Sequence, residues 1–351
     1  MSSNFNVGYS AWGFLSDGIV DTPDGGRSHR PVLLDGLISH GAEIIMLQKD
    51  RDLHEAGVDV AKEHLRFDDK NFPDIDVLFL EYRWPIPGRN IEVEKSDPLY
   101  TPDLDRQQEL IDHYNKLDKP IFIWDKDQQL TQEHIDTLGI KNVLVFEPAL
   151  QPKPGRKSLL FPMDMSRILE MKEDLKGYDK KNKSISLVYV GNQYDRDDSF
   201  KKYYNEASRL IGKRAEIYGK WRNQEPFSYV NFHGRVGYSE VQPIYEQSFA
   251  NVLIAPERYY KNGQYTQRIF ESLWGLCLPL VPKEYACSNV LFPDELIVES
   301  AEDVARILTR LNDADNHYIV DLFEAIFENL TIFSVDKQVQ TILDSFSNYY
   351  E

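Results

Sequence analysis

The chain predicts an α/β protein built as two units, each a parallel sheet flanked by helices, facing one another across a cleft. Three observations carry this expectation. Apolar strand-like runs alternate with helix-spaced segments from the start of the chain, the pattern of a parallel sheet with crossover helices. The alternation breaks between residues 147 and 183, where Pro148, Pro152, Pro154 and Pro162 interrupt and Lys180, Lys181 and Lys183 follow. After that break the alternation begins again without repeating the first half's sequence. With 351 residues there is chain enough for two ordinary domains, each with its own core. The expected boundaries are 1–165, a linker 166–183, a second domain 184–334, and a last helix 335–351 placed to pack back on the first domain.

In the first half, residues 5–9 form a short apolar start that runs into a glycine-containing loop with Gly25, Gly26 and His29 near its end. Val32, Leu33, Leu34, Leu37 and Ile38 then repeat at helical spacing until Gly41, a natural stop. Residues 42–47 read as a second strand. The loop lacks the GxGxxG spacing of a dinucleotide site, which argues against a nicotinamide cofactor. Two further strands, 76–82 and 120–124, flank a helix-compatible segment at 102–117, and 142–146 reads as one more. Ligands of parallel sheets sit beyond the carboxyl ends of the strands, which puts Glu81, Asp125 and Asp127 at the functional edge. The ordinary use of such residues is to cap turns and helix starts.

In the second half, strand 185–190 meets a turn at Gly191 and Asn192, followed by helix 199–211 with Arg196 just before it. Strand 215–218 meets Gly219 and Lys220, and a short strand ending at Phe232 meets His233, Gly234 and Arg235. A helix at 239–248, strand 252–254, the segment 262–274, strands 278–281 and 296–298, and helices 301–311, 318–329 and 335–349 complete the series. Within 262–274, Ile269, Phe270, Leu273 and Trp274 share one helix side. Arg268 and Glu271 are three apart, so both leave the same end of one helix, close to Gly263. A guanidinium, a carboxylate and free backbone N–H groups together suit a phosphate joined to a sugar diol. Alone, the pair would equally suit a surface ion pair on an amphipathic helix.

Composition narrows the function. Forty-two per cent apolar and 12% aromatic residues exclude a disordered chain. No apolar run approaches the length of a membrane-spanning helix, and the first residues lack the basic and apolar regions of a signal peptide. A cytoplasmic protein is expected, in the host cytoplasm if the chain is phage-encoded. Cys277 and Cys287, the two cysteines, have neither a pairing framework nor metal-ligand spacing and read as reduced thiols. A net charge of −17 argues against a polyanionic partner, because such binding draws on counterions released by Lys and Arg.

The second half resembles the nucleotide-sugar half of the GT-B glycosyltransferases, enzymes of two Rossmann-like domains facing across a cleft. The resemblance rests on Tyr189, Val190, Gly191 and Asn192; on Tyr218, Gly219 and Lys220; on His233, Gly234, Arg235 and Val236; and on the block from Gln267 to Gly275. Within that family the chain is similar to the phage branch that glucosylates hydroxymethylated bases in DNA, although that branch is basic where this chain is acidic. The resemblance implies a UDP-sugar donor, with Arg268 on the diphosphate, Glu271 on the ribose hydroxyls and the Val236 amide beside the base. Gly25, Gly26, Gly191, Asn192, Arg196, Gly219, Lys220, Gly234, Arg235, Tyr265 and Thr266 complete the implied donor site. It also implies a catalytic base at Asp125 or Asp127 and a donor-side role for His29.

A flipped base in duplex DNA would need a basic rim on the cleft, for which Arg27, Arg30, Arg83, Arg89 and the lysines at 180–183 are the candidates. A glycan, lipid-linked or small-molecule acceptor is the rival favoured by the charge. A nucleotide-sugar epimerase or a non-catalytic sensor would use the same architecture. No cofactor is expected beyond the donor. A divalent metal is compatible but not demanded, since Asp195, Asp197 and Asp198 read more simply as an acidic helix start.

Overall fold

The computed structural model describes residues 5–16, 25–84 and 103–350. Its first half is a parallel sheet of β1 (Phe5–Ser10), β2 (Ala42–Met46), β3 (Leu65–Phe67), β4 (Val77–Glu81), β5 (Ile121–Trp124), β6 (Val143–Glu147) and β7 (Lys157–Ser158), in the order β3-β2-β1-β4-β5-β6-β7. The second sheet contains β8 (Ile185–Val190), β9 (Ala215–Tyr218), β10 (Val230–Gly234), β11 (Ser248–Val252), β12 (Leu278–Pro282) and β13 (Ile297–Val298), in the order β10-β9-β8-β11-β12-β13. The central strands are buried along their length, as expected for parallel strands covered by helices on both faces. In both sheets the winding direction reverses beside the first strand, between β1 and β4 and between β8 and β11. A crevice opens at such a reversal because the two flanking connections leave toward opposite faces.

Among the described residues the first half carries α1 (Arg30–Ser39), α2 (Asp103–Lys116), α3 (Gln132–Leu138) and α4 (Met165–Leu175). In the second half α5 (Asp197–Phe200) continues through a wider turn, Lys201–Glu206, into α6 (Ala207–Ile211), followed by α7 (Tyr238–Glu246), α8 (Glu257–Asn262), α9 (Arg268–Trp274) and α10 (Ser288–Leu291). The chain closes with α11 (Ala301–Asp313), α12 (Asn316–Asn329) and α13 (Val335–Tyr350). Ser300 and Asp315 cap α11 and α12 through the backbone N–H groups of Asp303 and Tyr318. Gly263 ends α8 in the left-handed conformation, which opens the short link to α9.

Several elements differ from expectation. The proline- and lysine-rich stretch contains β7 and α4; Asp164 caps α4, and Ile168, Met171 and Leu175 form its buried stripe. The prolines precede this helix rather than interrupt it. β3 is a three-residue edge strand with exposed Arg66, too short to show alternation. The strand expected at 252–254 lies at Ser248–Val252, because α7 ends at Glu246, two residues earlier than its pattern suggested.

α13 returns to the first half. Met163 N–H donates to Phe333 O at 2.8 Å and Val335 N–H to Met163 O at 3.0 Å. Val335 and Val339 lie against Gly36 of α1, and Phe346 stacks on Phe5 at 5.4 Å. No helix among the described residues is long and apolar enough to cross a membrane.

Candidate active site

Three glycine turns meet beyond the carboxyl ends of β8, β9 and β10. Gly191 N–H donates to Tyr218 O at 2.8 Å, and Gly219 N–H to Gly234 O at 2.6 Å. Gly219 has φ +137° and Gly191 φ +157°, and a Cβ on Gly219 would collide with the Gly191 carbonyl. Only glycine allows both the conformation and the approach. Asn192 accepts Lys220 N–H on Oδ1 at 2.7 Å, and the Trp221 indole donates to Gly191 O at 3.0 Å, so the first two turns are tied to each other.

α9 begins beside this surface, at the reversal between β8 and β11. Arg268 donates through Nε to Val190 O at 3.0 Å and through Nη1 to Ile254 O at 3.1 Å, and its guanidinium lies 4.8 Å over the Tyr189 ring. Arg196 donates through Nη1 to the hydroxyl of the same Tyr189 at 2.6 Å. One aromatic side chain therefore holds two cations at one strand end. A cavity of about 1050 Å³ adjoins Arg196 and is lined more by carboxylates than by cations, with Asp195, Asp197, Asp198, Glu257 and Glu284 beside Arg258 and Lys261; Arg268 is not part of its lining. Glu271, one turn into α9, is half-buried, and burial pushes its carboxyl above the ordinary value against the opposing pull of Ser28, Arg268 and Arg27.

The first half faces this site with residues 25–29 and the loop after β5. Ser28 donates to Glu271 Oε1 at 2.5 Å, and its hydroxyl lies 2.9 Å from that of Tyr238. Gln267 bonds His29 Nδ1 at 2.8 Å. After β5, Gln128 donates to Gln264 Oε1 at 2.6 Å, and Gln264 donates to Lys126 O at 2.7 Å. Arg258 joins the halves as well, donating to Asp127 O at 2.8 Å, Asp195 Oδ2 at 2.5 Å and the Tyr194 hydroxyl at 3.1 Å.

The two candidate bases separate clearly. Asp125 is fully buried and accepts the N–H groups of Gln129 at 3.2 Å and Leu130 at 2.7 Å, with Arg156 at 3.4 Å. It holds the turn after β5, the capping role that its position also allowed. Asp127 is half-buried and accepts the Tyr259 hydroxyl on Oδ1 at 3.0 Å; its Oδ2 has no hydrogen-bond partner among the described residues. Glu81 is also structural. Burial would push its carboxyl up, but Arg30, at 2.6 and 2.7 Å, and Lys126 hold it well below the ordinary value, and Tyr9 donates to it at 2.6 Å.

Other expected site residues fall elsewhere. His29 is neither at the surface nor open to the cleft: it is buried between Trp124 and Phe161. Gly26 leaves room for the Arg30 guanidinium, and Gly25 opens the 3-10 turn that carries Ser28. Tyr265 stacks on Tyr285 at 4.5 Å in the core, so its ring does not line the cleft; Thr266 accepts Ile269 N–H at the start of α9. Arg235 is exposed and Val236 half-buried in the turn before α7.

Among the described residues the expected basic rim is not assembled. Arg27, Arg30 and Arg83 are buried, Lys180 is bound to the carbonyls of Asn312 and Ala314, and Lys183 to those of Glu246 and Gly275. Arg89 lies outside the described residues. Among the described residues no group of three metal-binding side chains converges, and Asp195 is paired with Arg258. Ser28, Tyr238, Gln267 and Arg258 were missed because each meets its partner across more than 100 residues of chain or through a type of side chain with no motif.

Two facing parallel sheets with reversals opposite each other across a cleft define the GT-B fold, and solved structures bear this out. The β-glucosyltransferase of T4 phage, bound to UDP and Mn²⁺, superposes with a TM-score of 0.65 at 11% identity over 97% of this chain and 99% of its own. A β-glucosyltransferase described as a DNA-modifying enzyme gives 0.62 at 14% identity over 97% and 99%. Anabaena HepE in complex with UDP-glucose gives 0.57 at 9% identity over 98% and 100%. No protein-family model and no curated protein matches the sequence.

Proposed function

We propose that the protein is a glycosyltransferase that moves a sugar from a UDP-sugar to an acceptor hydroxyl. The observation that carries this reading is the placement of Arg268 and Glu271 in the first turn of α9, beside the crowded Gly191 and Gly219 turns at the sheet reversal. Sugar transfer leaves negative charge on the departing diphosphate, and Arg268, Arg196 and Lys220 supply positive charge there. Glu271 accepts the ribose hydroxyls, the Val236 amide meets the base, and Asn192, Gly234 and Arg235 shape the turns around them. Asp127, whose second carboxylate oxygen has no hydrogen-bond partner among the described residues, takes the acceptor proton. Asp125 holds the Asp127 loop in place.

The acceptor in this reading is a hydroxymethylated base of DNA, supported by the likeness to the T4 phage and DNA-modifying structures across nearly the whole chain. The net charge of −17 and the buried Arg27, Arg30 and Arg83 favour a second reading, a glycan, lipid-linked or small-molecule acceptor. Turnover of a UDP-sugar panel, with and without hydroxymethylated duplex DNA, tests both. DNA-dependent transfer supports the first reading; donor hydrolysis unchanged by DNA supports the second; interconversion of the donor sugar alone means an epimerase, and binding without turnover means a sensor. Within an active enzyme, Asp127→Asn is expected to lower kcat by about 10²-fold or more with the fold intact. Asp125→Asn should instead lower thermal stability, because its amide cannot accept both backbone N–H groups. Full turnover in Asp127→Asn would remove it as the base.

A further inference from the structure

Residues 27–29 of the first half grip the donor-side helices at three consecutive positions. The Arg27 guanidinium lies 4.6 Å over the Tyr238 ring at the start of α7, and His29 meets Gln267 at the start of α9. Between them Ser28, only 4% exposed, donates its hydroxyl hydrogen to Glu271 Oε1 at 2.5 Å and sits 2.9 Å from the Tyr238 hydroxyl. A tyrosine, a serine and a carboxylate thus form one hydrogen-bonded chain across 243 positions of sequence.

A glutamate on a helix has several rotamers, and a site that must accept a diol gains affinity when only the useful rotamer is populated. An ionised carboxylate offers about four lone-pair positions, so one hydrogen bond from Ser28 fixes the group and leaves acceptor capacity for two hydroxyls. Ser28 comes from the opposite half of the molecule, so this support exists only when the halves are together.

We propose that Ser28 is a specificity-determining positioning residue that orients Glu271 toward the ribose hydroxyls of a nucleoside diphosphate, so that ribose recognition is completed only across the two halves. The proposal rests on the reading of Glu271 as the ribose acceptor. It makes discrimination against 2′-deoxyribose a property of a side chain that touches no part of the donor itself.

Calorimetric titration of the full chain with UDP and with 2′-deoxy-UDP tests it. The wild type should bind UDP about tenfold more tightly than 2′-deoxy-UDP, the worth of one good hydrogen bond. Ser28→Ala should weaken UDP several-fold and 2′-deoxy-UDP, which keeps its 3′-hydroxyl, by less, and so shrink the preference; Ser28→Thr, which keeps the hydroxyl, should restore most of it. Tyr238→Phe, which removes the other hydroxyl of the chain, should show a partial loss and serves if Ser28→Ala does not fold. A preference retained in full by Ser28→Ala, or by Tyr238→Phe in its place, overturns the proposal. So does tighter UDP binding by Ser28→Ala, since Ser28 would then be a competitor for Glu271. A wild type that binds UDP with no preference, or does not bind it, overturns both this proposal and the ribose reading beneath it.

Discussion

At the scale of single residues, Glu271 shows how a buried carboxyl is held at a cost to the fold. Burial raises its carboxyl above the ordinary value, and the hydrogen bond from Ser28 and the charges of Arg268 and Arg27 only partly offset this. Because the folded-state value is the higher one, the folded protein holds this proton more tightly than the unfolded chain. Glu271 therefore contributes stability below the ordinary glutamate value and loses that contribution as pH rises through the folded value. Glu271→Gln removes the titration. The difference between the wild-type and Glu271→Gln stability profiles, from denaturant unfolding between pH 4 and pH 8, should grow with pH in favour of the variant, while UDP binding by the variant weakens. A difference that is constant with pH contradicts this account. Asp125 and Asp127 make the complementary point: of two carboxylates two residues apart, the first is held by backbone N–H groups of its own turn and the second by the Tyr259 hydroxyl.

At the scale of elements, the three glycine turns are not equivalent. A methyl group on Gly219 meets the Gly191 carbonyl, and φ +137° is itself unfavourable for a residue with a side chain. Gly234 has φ +79°, but an added Cβ there has nothing within 4 Å. Gly234→Ala should cost about 1–2 kcal/mol, the ordinary left-handed penalty. Gly219→Ala should cost more, since overpacking adds about 1–3 kcal/mol, and should also weaken UDP binding by separating the first two turns. Equal losses for the two variants in urea unfolding contradict the close approach of the turns.

At the scale of the whole molecule, α13 links the end of the chain to its beginning. Gly36 has no side chain where the Val335 and Val339 methyls of α13 approach α1. Gly36→Val should push the two helices apart and destabilise the protein by about 1–3 kcal/mol, read as a fall in the urea midpoint. An unchanged midpoint would mean that α13 is not held there. The halves also meet through Arg258, which reaches Asp127, Asp195 and Tyr194 together, so the loop after β5 and the turn before α5 share one cation.

Much of this architecture was legible in the chain itself. Buried parallel strands read as continuous apolar runs, so β1, β2, β4, β5, β6, β8 and β9 were visible, as was the restart after residue 183. The Arg268 and Glu271 pair was visible because i,i+3 spacing places two side chains on one helix face, and the glycine turns because strand ends announce them. β3, β7 and α4 were not, being short, at an edge, or masked by nearby prolines. The different hydrogen-bond surroundings of Asp125 and Asp127, the burial of His29, Arg27, Arg30 and Arg83, and the hydrogen bond from Ser28 to Glu271 were decided by tertiary structure alone. Periodicity reports which way a side chain faces on its own element, and that is a local property. Which groups reach that face from the other half of the molecule depends on how two sheets and a returning helix are set against each other, and no local pattern encodes it.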